Sequence, residues 1–580
     1  MSEEPPGPRG ARSAPDAPST PTPIAGSRDA DADVIVVGAG LAGLVCTLEL
    51  LRSGHTVVLL DRCEPQELGG LAREAFGGMF MVDSPEQRRS RIRDSERLAL
   101  EDWLRIAELE PGDVWPRRWA EQYVTRARDD VGGWLRELGV RFFPVVNWAE
   151  RGNFGDGNSV PRFHLTWGTG KGLVQAVWRG IQEHPRRRSL DLRFRTRVTE
   201  LLLADGAARG VRLESGETLH AATAVVIAAG GIGGNLEIVR REWPTDRLGD
   251  APQRLLMGSH YHADGAMHEE VRRIGGNVTH LSRMWNYADA VRHPKPQRER
   301  HGLKLIPPRS GLMLDPDGRR YGPVPVMPTF DAYSALERMC EDERKYSWLV
   351  CNFRIAKREL DVSGSQHNPH LRERRLLPFL LSVLLGKPRL VRHFLDGSPD
   401  FVAAATLPEL AEKMDEVTAE LTGERAIDAG LLEREVQRYD ETIARGKGLF
   451  NDDQLRRIGQ LRNWRGDRLR TCRFQRIVDP KAGPLIAIRL QPMARKSLGG
   501  IQTDLGCRVL RREGGARDGT SAPIERLYAV GEAAGFGGGG VHGKRSLEGT
   551  FLGGCVFTGR LAAAAIAGNE LPLRIPPRLV

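Results

Sequence analysis

The first clear pattern in the chain is a pair of short apolar runs separated by a longer one. Residues 34–37 are uninterruptedly apolar, a glycine-rich turn follows, and a longer apolar stretch ends near Gly54. A second short run covers residues 56–60. Short continuous apolar runs are typical of buried parallel strands, and an apolar stretch of helical length between them is typical of a crossover helix. The pattern therefore predicts a strand–helix–strand unit.

The same kind of pattern returns near the C-terminus after a long interruption. Strand signals fade after Asn235, and residues 251–484 mix loops with helical patterns at 407–423 and 431–446. Strand signals resume at residues 484–490 and 527–530, and an apolar helical pattern covers residues 553–568. We therefore predict an α/β fold in which one domain is interrupted by an inserted α+β domain.

Three glycines lie at the turn between the first strand and its helix, with the spacing Gly38-x-Gly40-x-x-Gly43. In such a unit the first glycine makes the tight turn, the second lets the backbone approach a pyrophosphate, and the third lets helix and strand pack closely. Asp61 ends the second strand, where a carboxylate can accept the hydroxyls of an adenosine ribose. The predicted dinucleotide-binding residues of this unit are Gly38, Gly40, Leu41, Ala42, Gly43 and Asp61.

Three later segments favour FAD over NAD. "GGLAREAFGG" at 69–78 has paired glycines at both ends, "VVIAAGGIGGN" at 225–235 is a strand running into a glycine turn, and "LYAVGEAAG" at 527–535 is a strand ending in a Gly-Glu pair. With these segments the chain resembles, from about residue 31 to 565, the flavoprotein subunits of fumarate reductase and succinate dehydrogenase and the related 3-ketosteroid Δ1-dehydrogenases. The resemblance implies a Rossmann-type FAD-binding domain.

The resemblance also implies further cofactor contacts. In that family the paired-glycine loop runs beneath the isoalloxazine ring, the strand before "AAGG" supports the adenine side, and the Gly-Glu pair holds the ribityl chain. Glu532 would then bind the ribityl hydroxyls, and Val198 would offer its backbone to adenine. The residues placed at FAD in this way are Gly69, Gly70, Gly77, Gly78, Val198, Ala229, Gly230, Gly231, Gly531, Glu532 and Gly549.

The attachment of the flavin is expected to differ from that in succinate dehydrogenases. Those enzymes link FAD to a histidine in the first glycine-rich loop, whereas residues 69–78 contain Leu71 and no histidine. We therefore predict noncovalently bound FAD.

The reaction implied by the resemblance is hydride transfer between the flavin and a carbon–carbon bond next to a carbonyl or carboxylate, paired with a proton transfer. "LMLDPDGRRYGP" resembles the segment that carries the proton-delivering arginine of fumarate reductases, which makes Arg320 a candidate acid. The Asn-Glu continuation of that segment is missing. Tyr287 is the second candidate, because ketosteroid dehydrogenases use tyrosines to abstract protons, and the choice between the two stays open.

A substrate-binding cation is expected in "FGGGGVHGKRSLEGTF", residues 536–551. This stretch resembles a fumarate reductase segment in which an arginine follows His-Gly, and the matching residue is Arg545. Its guanidinium would grip a polar substrate oxygen with two hydrogen bonds, and the glycines at 537–540 would pass close to the flavin. The alternative is a surface ion pair between Arg545 and Glu548.

The resemblance and the patterns together give the domain organisation. We predict a disordered tail at residues 1–30, the first part of the FAD-binding domain at 31–250, a capping domain for the substrate at 251–484, the second part of the FAD-binding domain at 485–568, and a C-terminal tail at 569–580.

Composition and charge narrow the possible partners. Seven cysteines without any C-x-x-C spacing indicate neither a disulfide framework nor a metal cluster, and they fit a reducing cytoplasm. The net charge is +10, but the arginines are scattered and no nucleic-acid-binding signature is present, so we expect no nucleic-acid partner. The apolar residues 376–385 are too few to span a bilayer and predict a buried or amphipathic helix, with peripheral membrane contact left open.

We expect an FAD-dependent dehydrogenase or reductase acting on CH–CH groups of a small molecule, either a steroid-like ketone or an unsaturated acid, with a separate electron acceptor. The alternative is a flavin-binding, redox-responsive protein without efficient dehydrogenation, because the Asn-Glu pair and the substrate-binding histidines of fumarate reductases are missing. A disulfide reductase would need a dithiol, and the sequence lacks its C-x-x-C spacing.

Overall fold

The fold is taken from a computed structural model that describes residues 30–423, 425–512 and 521–569, together with 573, 574, 576, 577 and 579. The predicted tail at residues 1–30 lies outside the described residues except for its last residue, and half of the C-terminal tail at 569–580 lies outside them.

The strands of the described residues are β1 (Ala32–Val37), β2 (Val57–Leu60), β3 (Gly78–Phe80), β4 (Phe163–Leu165), β5 (Leu190–Arg193), β6 (Val198–Ala204), β7 (Ala207–Leu213), β8 (Thr218–Ile227), β9 (Leu256–Met257), β10 (Val278–Thr279), β11 (Met284–Arg292), β12 (Gly302–Ile306), β13 (Leu312–Leu314), β14 (Ser347–Asn352), β15 (Asp361–Val362), β16 (Phe401–Ala404), β17 (Leu485–Ser497), β18 (Gly500–Ile501), β19 (Arg508–Leu510) and β20 (Pro523–Ala529).

The helices of the described residues are α1 (Leu41–Arg52), α2 (Gly70–Glu74), α3 (Pro85–Arg89), α4 (Glu96–Ala107), α5 (Val114–Arg126), α6 (Trp134–Glu137), α7 (Thr169–Gln182), α8 (Leu236–Arg241), α9 (Thr245–Leu248), α10 (Ala266–Arg273), α11 (Ala332–Cys340), α12 (Phe353–Glu359), α13 (Pro369–Arg372), α14 (Leu376–Leu385), α15 (Pro388–Gly397), α16 (Leu407–Thr422), α17 (Ala429–Ala444), α18 (Asp453–Asn463), α19 (Arg465–Arg468) and α20 (Thr550–Ile566). A π-helical segment, Ala127–Gly133, joins α5 to α6.

The first sheet contains the predicted strand–helix–strand unit. Strands β5, β2, β1, β8 and β20 lie side by side and parallel, and β19 pairs antiparallel with β20 at the edge. Strands β6 and β7 add an antiparallel extension that joins β8. The mixed α/β fold with a parallel sheet is therefore confirmed, and β1, α1 and β2 lie where the apolar pattern predicts them.

Four parallel strands of this sheet end at the same edge. Val37 of β1 pairs with Leu60 of β2 on one side and with Ile227 of β8 on the other. Ile227 also pairs with Ala529 of β20. Ligands of open parallel sheets bind outside the carboxyl ends of the strands, so this edge is where a dinucleotide site is expected.

Close packing of glycines fixes α1 against the sheet. A Cβ on Gly43 would lie 2.0 Å from the carbonyl oxygen of Gly38, and a Cβ on Gly559 of α20 would lie 2.7 Å from the carbonyl oxygen of Ala42. Helix α1 can therefore contact both the turn before it and helix α20 only because these two positions have no side chain.

A second mixed sheet is built around β17. This strand pairs antiparallel with β11, β14 and β16 and parallel with β9, and β12, β13 and β15 complete the sheet. The sequence predicts that the second part of the FAD-binding domain begins at residue 485. The structure instead places Leu485–Ser497 at the centre of the second sheet, because its apolar side chains pack into the core formed by the residues between β8 and β17. The chain rejoins the first sheet only at β19.

In the described part of the chain, the helices are all too short or too polar to cross a membrane.

Candidate functional site

Two adjoining cavities, of about 150 and 230 Å³, lie at the carboxyl edge of the first sheet. The first, called the nucleotide cavity here, is lined by the glycine-rich turn after β1, by the ends of β2 and β8, and by residues 260–268. The second, called the substrate cavity, lies between the glycine loop at 69–78 and the second sheet. Leu71, Ala72, Glu532 and Cys555 line both cavities, so the two share part of one wall.

The turn after β1 has the shape that a pyrophosphate requires. Gly38 has φ +107°, and a Cβ there would lie 2.4 Å from the carbonyl oxygen of Ala228. A Cβ on Gly40, in contrast, would meet no atom within 4 Å, so this backbone faces open space in the nucleotide cavity. Helix α1 begins after Gly40 without a side-chain cap, which leaves its first N–H groups for an anion. This cradle fits the pyrophosphate of FAD.

Asp61 lies at the end of β2 and lines the nucleotide cavity. Its Oδ2 accepts a hydrogen bond from the Ala39 amide at 2.6 Å, and its Oδ1 accepts one from the Cys63 amide at 2.8 Å. A carboxylate has about four acceptor positions, so two remain for the hydroxyls of a ribose. Val198, at the start of β6, lines the same cavity, as the expected adenine contact should.

We expect Asp61→Ala to weaken FAD binding at least about tenfold, because hydrogen bonds to a charged group each contribute about 1.5–3 kcal/mol. FAD titration of the apoprotein measures the change. Asp61→Asn is the matched control, since the amide keeps the size and one acceptor oxygen and should bind FAD with intermediate affinity. Equal FAD affinity of the wild type and both variants would show that Asp61 only holds the backbone at Ala39 and Cys63 together.

Glu532 lies where the two cavities meet. Burial raises the pKa of its carboxyl to about 7, and its Oε1 accepts a hydrogen bond from the Ser497 amide at 2.9 Å. A Cβ on Gly231 would lie 2.5 Å from the same oxygen. The position between a nucleotide cavity and a second cavity fits the expected contact with the ribityl chain.

The remaining predicted cofactor residues either line one of the two cavities or lie beneath them. Gly69 and Gly70 line the nucleotide cavity, as do Ala229 and Gly230, while Gly77, Gly78 and Gly549 line the substrate cavity. Gly43, Gly231 and Gly531 line neither and instead allow close packing beneath the site; a Cβ on Gly531, for example, would lie 2.7 Å from the Ala42 side chain.

Three polar side chains meet on the wall of the substrate cavity. The Tyr287 hydroxyl donates a hydrogen bond to Oε1 of Glu548 at 2.5 Å and accepts one from Nζ of Lys496 at 3.2 Å. Trp285 donates to the same Oε1 at 3.0 Å. Tyr287 is on β11, Lys496 is on β17, and Glu548 lies two residues before α20, so the second sheet and the loop before α20 position the group. We call Tyr287, Lys496 and Glu548 the proton-transfer group.

Charges around this group set its protonation. Burial, followed by the charge of Glu548, raises the pKa of Tyr287 well above its usual value. Burial alone would raise the pKa of Glu548 too, but the charges of Lys496 and Lys304 hold it below its usual value. The group therefore rests as a neutral phenol that donates to an ionised carboxylate.

Two further ionisable residues, Lys304 and Glu150, line the cavity next to this group. Nζ of Lys304 lies 4.4 Å from the centre of the Tyr287 ring and 3.0 Å from Oδ2 of Asp289. Burial, followed by the negative charges of Asp331 and Glu548, raises the pKa of Glu150 well above its usual value. Lys304 thus adds positive charge beside the phenol, while Glu150 contributes a neutral carboxyl.

The other walls of the substrate cavity combine several apolar side chains with the cations Arg309, Arg470 and Arg495. The apolar side chains that line it include Trp148, Phe163, Ile306, Phe536, Phe551 and Leu552. Such a lining suits a flat, apolar ligand held against a few polar groups.

The structure does not bring Arg320 to either cavity. Its Nη1 donates to Asp452 at 2.5 Å and its Nη2 to Gln454 at 2.9 Å, and the guanidinium lies over the Tyr439 ring at 5.1 Å. Asp452 in turn caps α18. Arg320 therefore connects the β13 region to α18, and the expected role as a catalytic acid receives no support from its position.

Arg545 also lies outside both cavities. Its Nη2 donates to Oδ2 of Asp331 at 2.6 Å, and its Nη1 lies 3.5 Å from Asp156. The alternative pair with Glu548 is not formed either, because Glu548 belongs to the proton-transfer group and bonds Tyr287 instead. The glycines at 537–540 pack against Trp119, Thr279 and His280 rather than lining the substrate cavity.

We expect Arg545→Ala to lower the free energy of unfolding by about 3 kcal/mol, because it leaves the buried Asp331 carboxylate without its partner. Denaturant unfolding with FAD in excess measures the loss. Arg456→Ala removes an exposed ion pair with Asp453 and should change stability little. An Arg545→Ala enzyme with unchanged stability and abolished turnover would instead support the substrate-binding role expected from the sequence.

Sequence reasoning missed Glu548, Lys496 and Lys304 as functional candidates. A signal was present, because Lys304 and Lys496 each interrupt an apolar strand pattern, and a lysine at such a position is seldom fully buried without a partner. No comparable signal marks Glu548 in the sequence, because a surface ion pair with the nearby Arg545 already explained this residue.

Comparison with known proteins gives consistent matches over nearly the whole chain. The family described as "FAD binding domain" matches residues 33–552. A KsdD-like steroid dehydrogenase of Mycolicibacterium smegmatis is 44% identical and covers 93% of this chain and 100% of its own length. A KsdD-like steroid dehydrogenase of Mycobacterium tuberculosis is 43% identical and covers 94% of this chain and 97% of its own length.

Solved structures share the fold at lower identity. The 3-ketosteroid Δ1-dehydrogenase of Sterolibacterium denitrificans, in complex with 1,4-androstadiene-3,17-dione, has a TM-score of 0.67 at 16% identity and covers 93% of this chain and 100% of its own. The open conformation of a flavocytochrome c3 fumarate reductase has a TM-score of 0.63 at 20% identity. The match covers 94% of this chain and 79% of the fumarate reductase chain.

Proposed function

As a member of the FAD-binding domain family, in which it resembles both fumarate reductases and ketosteroid dehydrogenases, this chain is an FAD-dependent oxidoreductase acting on CH–CH groups, and we propose that its substrate is a steroid-like ketone. The observation that carries the proposal is the proton-transfer group of Tyr287, Lys496 and Glu548, which lies on the wall of a cavity that adjoins the nucleotide cavity.

Three observations favour a steroid-like ketone over a small unsaturated acid. The relatives that are 43–44% identical over more than nine-tenths of this chain are described as KsdD-like steroid dehydrogenases. In addition, Arg545, the cation expected to grip a carboxylate, pairs with Asp331 outside the cavity. The apolar side chains of the lining offer contact area that a small dicarboxylic acid could not use.

FAD, when bound, supplies the acceptor for a hydride from the substrate carbon. Tyr287 takes the proton from the carbon next to the ketone while its own hydroxyl proton passes to Glu548 along the 2.5 Å hydrogen bond. The C–H electron pair released in this way forms the new C=C bond as the hydride leaves the neighbouring carbon. Lys496 stabilises negative charge on the phenol oxygen during the transfer.

The ketone oxygen is proposed to bind at the start of α20. This helix begins after Gly549, which has φ +99° and no side-chain cap, and Gly549 lines the substrate cavity. Free N–H groups at a helix N-terminus stabilise the negative charge that develops on an enolate oxygen. The ketone would thereby acidify the C–H bond that Tyr287 attacks.

We also propose that the part of the chain around the second sheet acts as the capping domain. Tyr287, Lys304 and Lys496 come from this sheet and close the substrate cavity opposite the glycine loop at 69–78. Its boundaries would extend from about residue 251 to Ser497, because β17 lies within it.

FAD is proposed to be bound noncovalently. No histidine lies among the residues 69–78 that would face the flavin. We therefore expect denaturation by acid to release all flavin as unmodified FAD, measured by absorbance of the supernatant and by chromatography. Flavin that stays with the precipitated chain would contradict noncovalent binding, and release of FMN would contradict the cofactor itself.

An anaerobic substrate screen tests the proposed substrate class. The yellow holoenzyme is mixed with saturated 3-ketosteroids, with steroids lacking the ketone, and with succinate, and bleaching of the flavin absorbance is followed. We expect bleaching by the ketosteroids alone. Bleaching by succinate, or equal bleaching by steroids without the ketone, would reject the assignment.

A further inference from the structure

Helix α14 presents an unusually apolar face to the outside of the molecule. Its sequence is LLPFLLSVLL, and none of its residues is buried. The exposed side chains are Leu376, Leu377, Leu380, Leu381, Leu384 and Leu385, with exposed fractions between 44% and 70%. These positions repeat every four residues and so form one continuous stripe along the helix. Of the two expected alternatives, a buried or an amphipathic helix, the buried one is therefore wrong, and the stripe is called the leucine face here.

The opposite side of α14 attaches the helix to the protein. The Phe379 ring lies 5.1 Å from that of Phe143 and 6.1 Å from that of Trp167. Trp167 immediately precedes the N-cap of α7, and the Gly170 amide of this helix bonds the carbonyl of Ala75, a residue that lines the substrate cavity. The leucine face is thus held on the segments that form one wall of the cavity.

Positive charge surrounds the leucine face, and negative charge is absent from the same stretch of sequence. Residues 374–395 contain no aspartate or glutamate, but Glu373 and Asp396 border them, and Glu373 pairs with Arg375 at 3.2 Å. Arg374 and Arg375 precede the helix, Arg389 and Arg392 follow it, and all four are exposed. An apolar face bordered by arginines is complementary to a bilayer surface with anionic headgroups.

We propose that the leucine face is a docking surface for an anionic lipid bilayer, on which the enzyme lies without crossing it. Ten residues of helix extend about 15 Å, half of the roughly 30 Å hydrocarbon core, so the leucines enter only the leaflet that faces the protein. The flanking arginines contact lipid phosphates. This surface goes beyond the proposed function, because its contact with lipid does not depend on which molecule enters the substrate cavity.

Flotation of the full-length holoenzyme with lipid vesicles tests the proposal. Vesicles of phosphatidylcholine alone are compared with vesicles that also contain phosphatidylglycerol, at low and at high salt. We expect the wild type to float with the anionic vesicles and to lose much of this binding at high salt. The double variant Leu377→Asn/Leu381→Asn should float about tenfold less. Arg375→Gln/Arg389→Gln should reduce flotation with anionic vesicles while leaving the weak binding to neutral ones.

A matched control comes from the same chain. Leu377 and Leu381 are 68% and 46% exposed, and Leu449 and Leu469, which lie elsewhere, are 68% and 45% exposed. Leu449→Asn/Leu469→Asn should therefore float like the wild type, and all variants should keep their FAD. Equal flotation of the wild type and the Leu377→Asn/Leu381→Asn variant would overturn the proposal. A wild-type dimer that this variant converts to a monomer, without vesicle binding by either, would overturn it in favour of contact between two copies of the chain.

Discussion

Replacing Tyr287 with phenylalanine should slow flavin reduction by substrate about 10³-fold while leaving FAD bound. The change removes only the hydroxyl that donates to Glu548 at 2.5 Å and accepts from Lys496 at 3.2 Å. Without it, no group remains between the substrate carbon and the Glu548 carboxylate to carry the proton. Anaerobic stopped-flow measurement of flavin bleaching reports the chemical step directly, separate from product release.

Tyr333→Phe is the matched control for this prediction. Tyr333 is buried and stacks on Trp285, the residue that also bonds Glu548, but it does not line the substrate cavity. Its loss should leave the bleaching rate within a few fold of the wild type. If Tyr287→Phe bleached as fast as Tyr333→Phe, Tyr287 would be a structural residue and the proton would need another acceptor.

Glu548→Gln should lower the bleaching rate about 10²-fold, because the amide cannot accept the proton that leaves Tyr287. The amide keeps the size of the carboxyl and can still accept hydrogen bonds from Trp285 and Tyr287, so the cavity should keep its shape. Since the variant removes a negative charge beside Lys496, the pKa of that lysine should fall further. Substrate binding, measured as the change in flavin absorbance before reduction, should be nearly unchanged. A wild-type bleaching rate would exclude Glu548 as the proton acceptor.

The pH dependence of the same reaction checks the role of the neighbouring cation. Burial lowers the pKa of Lys496 to about 8, so its positive charge is present below that pH and is lost as the pH rises through it. Bleaching by the wild type should therefore decline above about pH 8, because the charge that stabilises the phenol oxygen disappears. In Lys496→Arg the guanidinium stays ionised, and the decline should be absent. An identical decline in both proteins would assign it to another group.

The sequence predicts the nucleotide side of the molecule well because local geometry dictates it. The spacing of Gly38, Gly40 and Gly43 between two apolar runs admits few structures other than a strand, a tight turn and a helix, and β1, α1 and β2 follow it. Asp61 needs only the end of β2 to reach the nucleotide cavity. No long-range contact had to be guessed for these residues.

The substrate side depends on contacts between segments far apart in the chain, and the predictions were weaker there. Glu548 and Tyr287 are 261 positions apart and meet only because β11 packs across the start of α20. Arg320 and Arg545 match family positions in sequence, yet each pairs with an aspartate that no local pattern identifies. The prediction that residues 485–497 belong to the second part of the FAD-binding domain has a similar weakness, since an apolar run does not name its partner strand.

The position of β20 in the first sheet affects the order of events during synthesis. Residues 225–227 of β8 pair with β20, a strand that leaves the ribosome almost three hundred residues later. At translation rates of about 5–20 residues per second, the N-terminal glycine turn and Asp61 wait roughly tens of seconds for Glu532, which follows β20. Until then residues 225–227 of β8 have an open edge able to pair with other chains. Cofactor loading is thus a late event in the life of each nascent chain, and FAD supply should govern how much of the protein escapes aggregation.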